Sequence, residues 1–414
     1  MHDRKFSLLT IFAFVLCLGM VATRPARGAV LSDDDDDHKK GATLTVDDDR
    51  VQCPSAAFIS IQAAVNAANP GDKINVCPGT YNEQVTINKS LTIQGVAVGG
   101  NNQAIVKPTN MVVNSFSLAS GNPIAAIILV DGASRVDLTN LTIDGVNNNI
   151  GGCAPNLIGI YYRNSSGKAD SVAVRNVRLV PTLAGCQSGL GIFAQSGNGG
   201  SSKVQVLNSS VHDFQKNGIT GNEPGTEINV KGNSVSGDGP SPIIAQNGIQ
   251  IGFGAKGTVD GNSVNNVIYT PCISVNVCAA SSTGILVFDP ASPVRISNNN
   301  VANTQTGIYL QANKAEAGNN TVFQTRIFDG IAIVGDRNTV NGNSISNSDE
   351  SGVFVQGNKN EVNGNTINET PIGILEFPPS SGNKFGGNHF FNAGVNTDPP
   401  ASAGAGRPYS AVQP

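Results

Sequence analysis

The sequence predicts an all-β protein, a right-handed parallel β-helix of about 10–12 coils whose amino-terminal end is closed by a short α-helix. Two observations carry that prediction: a strand start that recurs at a near-constant interval, and columns of like residues that emerge when the repeats are aligned. Composition points the same way. The 414 residues include 48 Gly and 48 Asn, no Trp, 5% aromatic and 14% charged residues. That suits many short strands and tight turns, and is too poor in charge for helical bundles or coiled coils. A formal net charge of −4 gives no field for holding nucleic acid.

A Gly followed by Ile or Val opens an apolar stretch at Gly159, Gly191, Gly218, Gly248, Gly284, Gly307, Gly330, Gly352, Gly373 and Gly394, and the last six lie 23, 23, 22, 21 and 21 residues apart. A second signature follows some 13 residues later, as at Asn320-Thr321-Val322, Asn343-Ser344-Ile345 and Asn365-Thr366-Ile367. Each period therefore holds two strands in register. A repeat near 22 is too short for helical pairs or propeller blades and lacks the Leu pattern of leucine-rich repeats. In a β-helix, each period is one coil stacked about 4.8 Å from the next.

The aligned columns are of one kind. The residue after each Gly reads Ile160, Ile192, Ile219, Ile249, Ile285, Ile308, Ile331, Val353, Ile374, Val395, and the next inward column reads Tyr162, Ala194, Gly221, Ile251, Val287, Leu310, Ile333, Val355, Glu376. The Asn column (Asn233, Asn262, Asn299, Asn320, Asn343, Asn365, Asn388) has a structural reason to repeat. A turn amide can bond its equivalents above and below, satisfying groups that bending the chain leaves unpaired. Spacings of 32, 27, 30 and 36 between Gly159 and Gly284 imply insertions, and residues 145–283 are where a site is expected.

The ends read differently. Arg4 and Lys5 precede the apolar run Phe6 to Ala22 and the small residues around Gly28, a secretory signal peptide over residues 1–28, with an uncleaved anchor as the rival reading. Residues 29–50 are then an acidic linker, 51–398 the β-helix and 399–414 a flexible Pro, Ala, Ser and Gly tail. The mature chain is expected to be secreted, periplasmic or on the cell surface, a monomer with no membrane span. Its six cysteines form sequence-near pairs, Cys53 with Cys77, Cys153 with Cys186 and Cys272 with Cys278; disulfides fit better than zinc, because no CxxC pair or nearby His is present. Ile61, Ala64, Val65 and Ala68 follow helical spacing after Ser60, a capping residue, and Asn69-Pro70-Gly71 stops the run.

The stretch from Phe58 to Ala68, then Cys77-Pro78-Gly79-Thr80-Tyr81-Asn82-Glu83 and Leu91-Thr92-Ile93-Gln94-Gly95, resembles the opening of pectin-lyase-like β-helix proteins, among them pectinesterases and periplasmic proteins with carbohydrate-binding and sugar-hydrolase repeats. The resemblance is close over residues 53–95. It implies the fold and a glycan partner; it places no catalytic role on Tyr81 or Glu83. The pectinesterase motifs have no counterpart here, and of the polygalacturonase set only Asn396-Thr397-Asp398 appears. A copper accessory role, known among some of these relatives, is disfavoured by the donors: Met111, three His and six paired Cys after maturation.

The outward positions of the Gly-led strands offer no pair of carboxylates or His within reach of one bond, as acid–base chemistry needs. Polysaccharide or cell-surface glycan binding is therefore the first expectation, on Tyr161, Arg163, Phe193, Tyr309 and Phe354, with cover by loops or the tail as the alternative. A lyase, glycoside hydrolase or carbohydrate esterase is the second. Its candidates are Glu223 and Asp289, two coil steps or roughly 10 Å apart, near the upper limit for inverting glycosidases. His212-Asp213 is a weaker dyad, since neighbouring strand positions face opposite ways. No cofactor is specified; Asp33 to Asp37 would suit calcium, although a solvated spacer is the simpler reading.

Overall fold

Strands of two to ten residues, separated by turns in which Asn repeatedly takes the left-handed conformation (Asn140, Asn164, Asn208, Asn298, Asn319 among them), wind the chain into three long sheets. The computed structural model describes residues 41–398, apart from 101, 275–277 and 279. The expected signal peptide, the Asp33 to Asp37 run and the tail lie outside them. Sheet I has 13 strands, from Thr43–Val46 to Lys384–Gly386; sheet II has 12, from Gly79–Tyr81 to His389–Phe391. Sheet III has 13, from Val85–Ile87 to Val395–Asp398. One of these, Ser115–Phe116, pairs antiparallel with Pro123–Asp131; the other pairings in the three sheets are parallel. The protein is a parallel β-helix, each coil passing through sheets I, II and III in turn, as Thr226–Lys231, Ser234–Ser236 and Asn247–Gly252 do.

The Gly-led strands form sheet III, and the Gly is a packing requirement. A Cβ on Gly307 would stand 2.4 Å from the Gly330 carbonyl oxygen and 2.4 Å from Cγ1 of Val322 in sheet II. Gly191, Gly218, Gly248, Gly284, Gly330 and Gly352 meet the next Gly carbonyl at 2.6 to 2.8 Å. With no side chain at that corner, Ile or Val one position on points inward. Both inward columns pair as expected, from Ile160 with Ile192 to Val353 with Ile374, and from Tyr162 with Ala194 to Val355 with Glu376. They belong to one continuous aliphatic core, each side chain contributing roughly 1.5–3 kcal/mol on burial. Glu376, at the open end, is held by Asn383 Nδ2 at 2.7 Å.

The last member of the first column is corrected. Ile374 pairs with Thr397, and Val395 pairs with Ile372. The true corner is Asn396, whose oxygen lies 2.5 Å from a Cβ on Gly373; Gly394-Val395 falls two residues early. Each coil also holds a third strand, in sheet I, that the spacing did not reveal. Segments such as Arg295–Ser297, Glu316–Gly318 and Thr339–Asn341 present one inward residue each, too few for a detectable alternation.

The Asn column of sheet II is a continuous ladder. From Asn233 onward, the backbone N–H of each Asn donates to the Oδ1 of the next at 2.8 to 3.0 Å, and so does its Nδ2. The Nδ2 also donates back to a main-chain oxygen, as Asn343 does to Ala317 at 2.9 Å. A second ladder, Asn338 to Asn360 to Asn383, runs between sheets III and I.

The helix is α1, Ile61–Ala67, capped by Ser60 and buried through Ile61, Ala64 and Val65 against the first strands of sheets I and III. Glu83 completes the cap: its carboxylate accepts from the N–H of Ile61 and Gln62 at 2.7 and 2.9 Å and from Ser60 Oγ at 2.8 Å. Tyr81 donates to the Cys77 carbonyl at 2.8 Å. The Pro-Gly-Thr-Tyr-x-Glu segment is thus a device for closing the solenoid. Strand Thr43–Val46 already pairs with Lys73–Val76, ahead of the boundary expected at residue 51. The three disulfides form as paired in sequence.

A candidate glycan groove on sheet III

The insertions gather over the amino-terminal half of sheet III. Residues 111–122 fold across it, with Leu118 N–H donating to Gln195 Oε1 at 2.9 Å, and the Cys153–Cys186 disulfide joins two further loops. Between them lies a cavity of about 400 Å³. Its floor is made of amides. Gln250 Oε1 accepts from Asn217 and Asn247 Nδ2 at 3.1 and 3.2 Å, and Gln250 Nε2 donates to Asn222 Oδ1 at 3.0 Å. Asn217 is only 5% exposed, yet its Oδ1 has no hydrogen-bond partner among the described residues. Phe193 and Phe253 line the same cavity.

Lys216 and Glu223 also line it, one on each side of strand Asn217–Asn222. Lys216 Nζ donates to the Ala245 carbonyl at 2.9 Å and makes no ion pair among the described residues, so burial pulls its pKa down to about 8. Burial raises the pKa of Glu223, the opposite shift expected of an acid. Seven residue steps at about 3.3 Å put their backbones about 23 Å apart, too far to serve one bond.

Glu223, Phe253 and Asp289 take equivalent positions just past the paired strands of three successive coils, all with left-handed backbone. The two carboxylates sit two coils apart, but Phe253 stands between them and Asp289 lines a separate hollow with Phe288 and Lys314. They are not brought into one cavity.

The aromatic row points outward in register as expected, but most of it is covered. Tyr161 is fully buried, stacked on Phe193 with ring centroids 5.2 Å apart and its hydroxyl donating to Gln195 Oε1 at 2.7 Å. Tyr309 and Phe354 are buried in an apolar cluster with Leu286, Ala332 and Leu375. Only Phe193 reaches the cavity. Arg163 is committed to structure, pairing with Asp131 at 2.9 Å and donating to the Phe116 carbonyl at 3.2 Å. His212 and Asp213 do meet, Nδ1 to Oδ2 at 2.6 Å. Asp213 has left the strand with φ of 55°, which frees it from strand alternation, and Arg178 ties it to Asp238.

Lys216, Asn217 and Phe253 are the groove residues that the sequence reading missed. A signal existed for Lys216: the positions paired with it in the following coils are Gln246, Ser282 and Gln305, so it is a cation in a neutral column.

The sheet topology is that of a parallel β-helix protein, and the three disulfides fit an exported one. The chain belongs to the periplasmic copper-binding protein (NosD) family, whose model matches residues 198–406. No curated protein sequence matches it. Among solved structures, the lacto-N-biosidase of glycoside hydrolase family 136 from Eubacterium ramulus superposes with a TM-score of 0.57 at 12% identity, over 84% of this chain and 68% of that one. The A-module of the Azotobacter vinelandii mannuronan C-5 epimerase AlgE4 gives 0.56 at 13% identity, over 88% and 97%. The amino-terminal fragment of bacteriophage phi29 gene product 12 gives 0.52 at 13%, over 81% and 65%. At such identities the likeness is one of fold. Among the described residues, no helix is long and apolar enough to cross a membrane.

Proposed function

We propose that the chain is an exported glycan-binding protein that holds a polysaccharide or cell-surface glycan, as a monomer, in the groove over sheet III. One observation carries the reading: the Asn217–Gln250–Asn222 floor, with a buried Asn217 oxygen left unpartnered, lies beside Phe193 and Phe253. Amides that donate and accept in fixed directions suit sugar hydroxyls, and aromatic faces suit the apolar side of a pyranose ring. A hydrolase or lyase reading through Glu223 and Asp289 is weaker, because each lines a different hollow. Lys216, partly neutral near pH 8, keeps it in play as a lone base.

Copper, which the family's description names, does not suit the donors among the described residues. All six described cysteines are in disulfides and Met111 is buried. His212 is bound to Asp213, and His389 lies seven strands further along sheet II, about 34 Å away. The acidic cluster of the described residues, Asp47, Asp48 and Asp49, offers hard oxygens, and Cys53 and Thr80 N–H groups already occupy two of its carboxylates.

A glycan array followed by titration of the best ligand tests the proposal. Phe253→Ala and Gln250→Ala are each expected to weaken binding by about tenfold, the worth of one good contact. Turnover of the ligand, abolished by Glu223→Gln or Lys216→Gln, would replace the binding reading with the enzymatic one.

A further inference from the structure

On the solvent side of sheet I, charges on neighbouring coils pair with opposite charges. Lys203 and Lys256 flank Glu227 at 3.6 and 3.5 Å, Arg295 pairs with Glu316 at 2.9 Å, and Lys384 with Glu361 at 2.9 Å; each pair is in strand register. One column breaks this rule. At the turn from sheet III to sheet I, three successive coils place Lys314, Arg337 and Lys359 in equivalent left-handed positions, with φ of 59°, 58° and 57°. The coils are locked together there by Lys314 N–H to the Asp336 carbonyl at 3.0 Å, Arg337 N–H to the Asn358 carbonyl at 2.9 Å, and the second Asn ladder beside them. All three side chains are exposed, and none forms an ion pair among the described residues. Asp336, the acid closest in sequence, turns its Oδ1 to the N–H and Nδ2 of Asn358 at 2.7 and 3.1 Å.

Like charges stacked one rung apart repel, and a fold that pairs charges elsewhere gains nothing from this column by itself. We infer that Lys314, Arg337 and Lys359 form a cationic ladder, anion-binding at the coil spacing, for an acidic polysaccharide carrying a carboxylate or sulfate on successive sugars. Lys314 and Arg337 line a hollow of about 770 Å³ together with Asp289, Asp336 and the Pro290 to Pro293 loop, so a chain lying along the solenoid axis would meet all three cations and have room beside the first two. The partner class rests on the glycan reading above; the ladder is separate from the groove.

The test titrates the full exported chain with polygalacturonate and with its fully methyl-esterified form, the same backbone without charge, at two salt concentrations. The acid form is expected to bind at least tenfold more tightly. Combining Lys314→Gln, Arg337→Gln and Lys359→Gln should remove that preference and flatten the salt dependence. The same change at Lys203, Lys256 and Lys384, all ion-paired, should leave the preference in place. Equal binding of both forms, or an unchanged triple variant, overturns the ladder; tighter binding of duplex DNA than of polygalacturonate overturns the partner. If glycan binding responds to Phe253→Ala but not to the triple variant, the ladder alone fails. If the acid preference depends on the ladder and no glycan responds to Phe253→Ala, the ladder stands and the groove reading fails.

Discussion

Replacing Asn343 with Ala probes what holds the coils in register. Its side chain accepts from Asn320 N–H and Nδ2 at 2.8 and 3.0 Å and donates to Asn365 Oδ1 and the Ala317 carbonyl at 2.9 Å each. Truncation leaves the buried Asn320 N–H without a partner, at about 1–3 kcal/mol, and removes three more bonds at about 1 kcal/mol each, a loss of about 4–6 kcal/mol. Asn300→Ala is the control, an exposed strand residue with ordinary backbone and no side-chain hydrogen bond among the described residues, and should change stability by no more than about 0.5 kcal/mol. Urea unfolding followed by circular dichroism reads the difference as a shift in midpoint at constant slope. Amide exchange should speed up first around residues 320–345. If Asn343→Ala matches the control, the ladder is decoration and the account of coil register is wrong.

Three further outcomes follow from the same geometry. Gly307→Ala drives a Cβ into main chain on the next coil and should fail to fold or lose several kcal/mol, readable by thermal melting. Glu83→Ala removes three bonds to the start of α1 and should cost about 2 kcal/mol, with faster amide exchange confined to the helix. Lys216 has a folded pKa near 8 and an unfolded value of 10.5, so between those values the unfolded chain binds more protons and stability rises with pH. The penalty for charging it is complete below pH 8. Lys216→Met should therefore stabilise the protein at pH 7 by up to about 3 kcal/mol, less the lost bond to Ala245, and abolish the rise between pH 8 and 10.5; an unchanged pH profile would show that Lys216 is ordinarily solvated.

Much of the fold was legible because its causes recur. The Gly corner, the inward Ile column and the Asn ladder each impose one residue type on every coil, so alignment of the chain with itself exposes them. Sheet I was illegible over its carboxy-terminal half for the converse reason: from Arg295–Ser297 onward its strands are three residues long with a single inward side chain, and these carry no period. The site was harder to read. Strand alternation told correctly that Tyr161, Phe193, Tyr309 and Phe354 face away from the core, but not that Leu118 and its neighbours return over the sheet, 77 residues from Gln195 in sequence. Alternation also misplaced Asp213, which a left-handed turn swings back to His212. Lys216 and Glu223 acquire their character from burial alone, and burial beneath insertions depends on loop paths that no repeat encodes.

The most direct measurement is the crystal structure of the chain soaked with the tightest oligosaccharide from the array. Sugar density is predicted over the Asn217–Gln250–Asn222 floor, a ring against Phe193 or Phe253 and a hydroxyl donating to Asn217 Oδ1. Density seated elsewhere on the solenoid, with that oxygen bound only to solvent, would contradict the account.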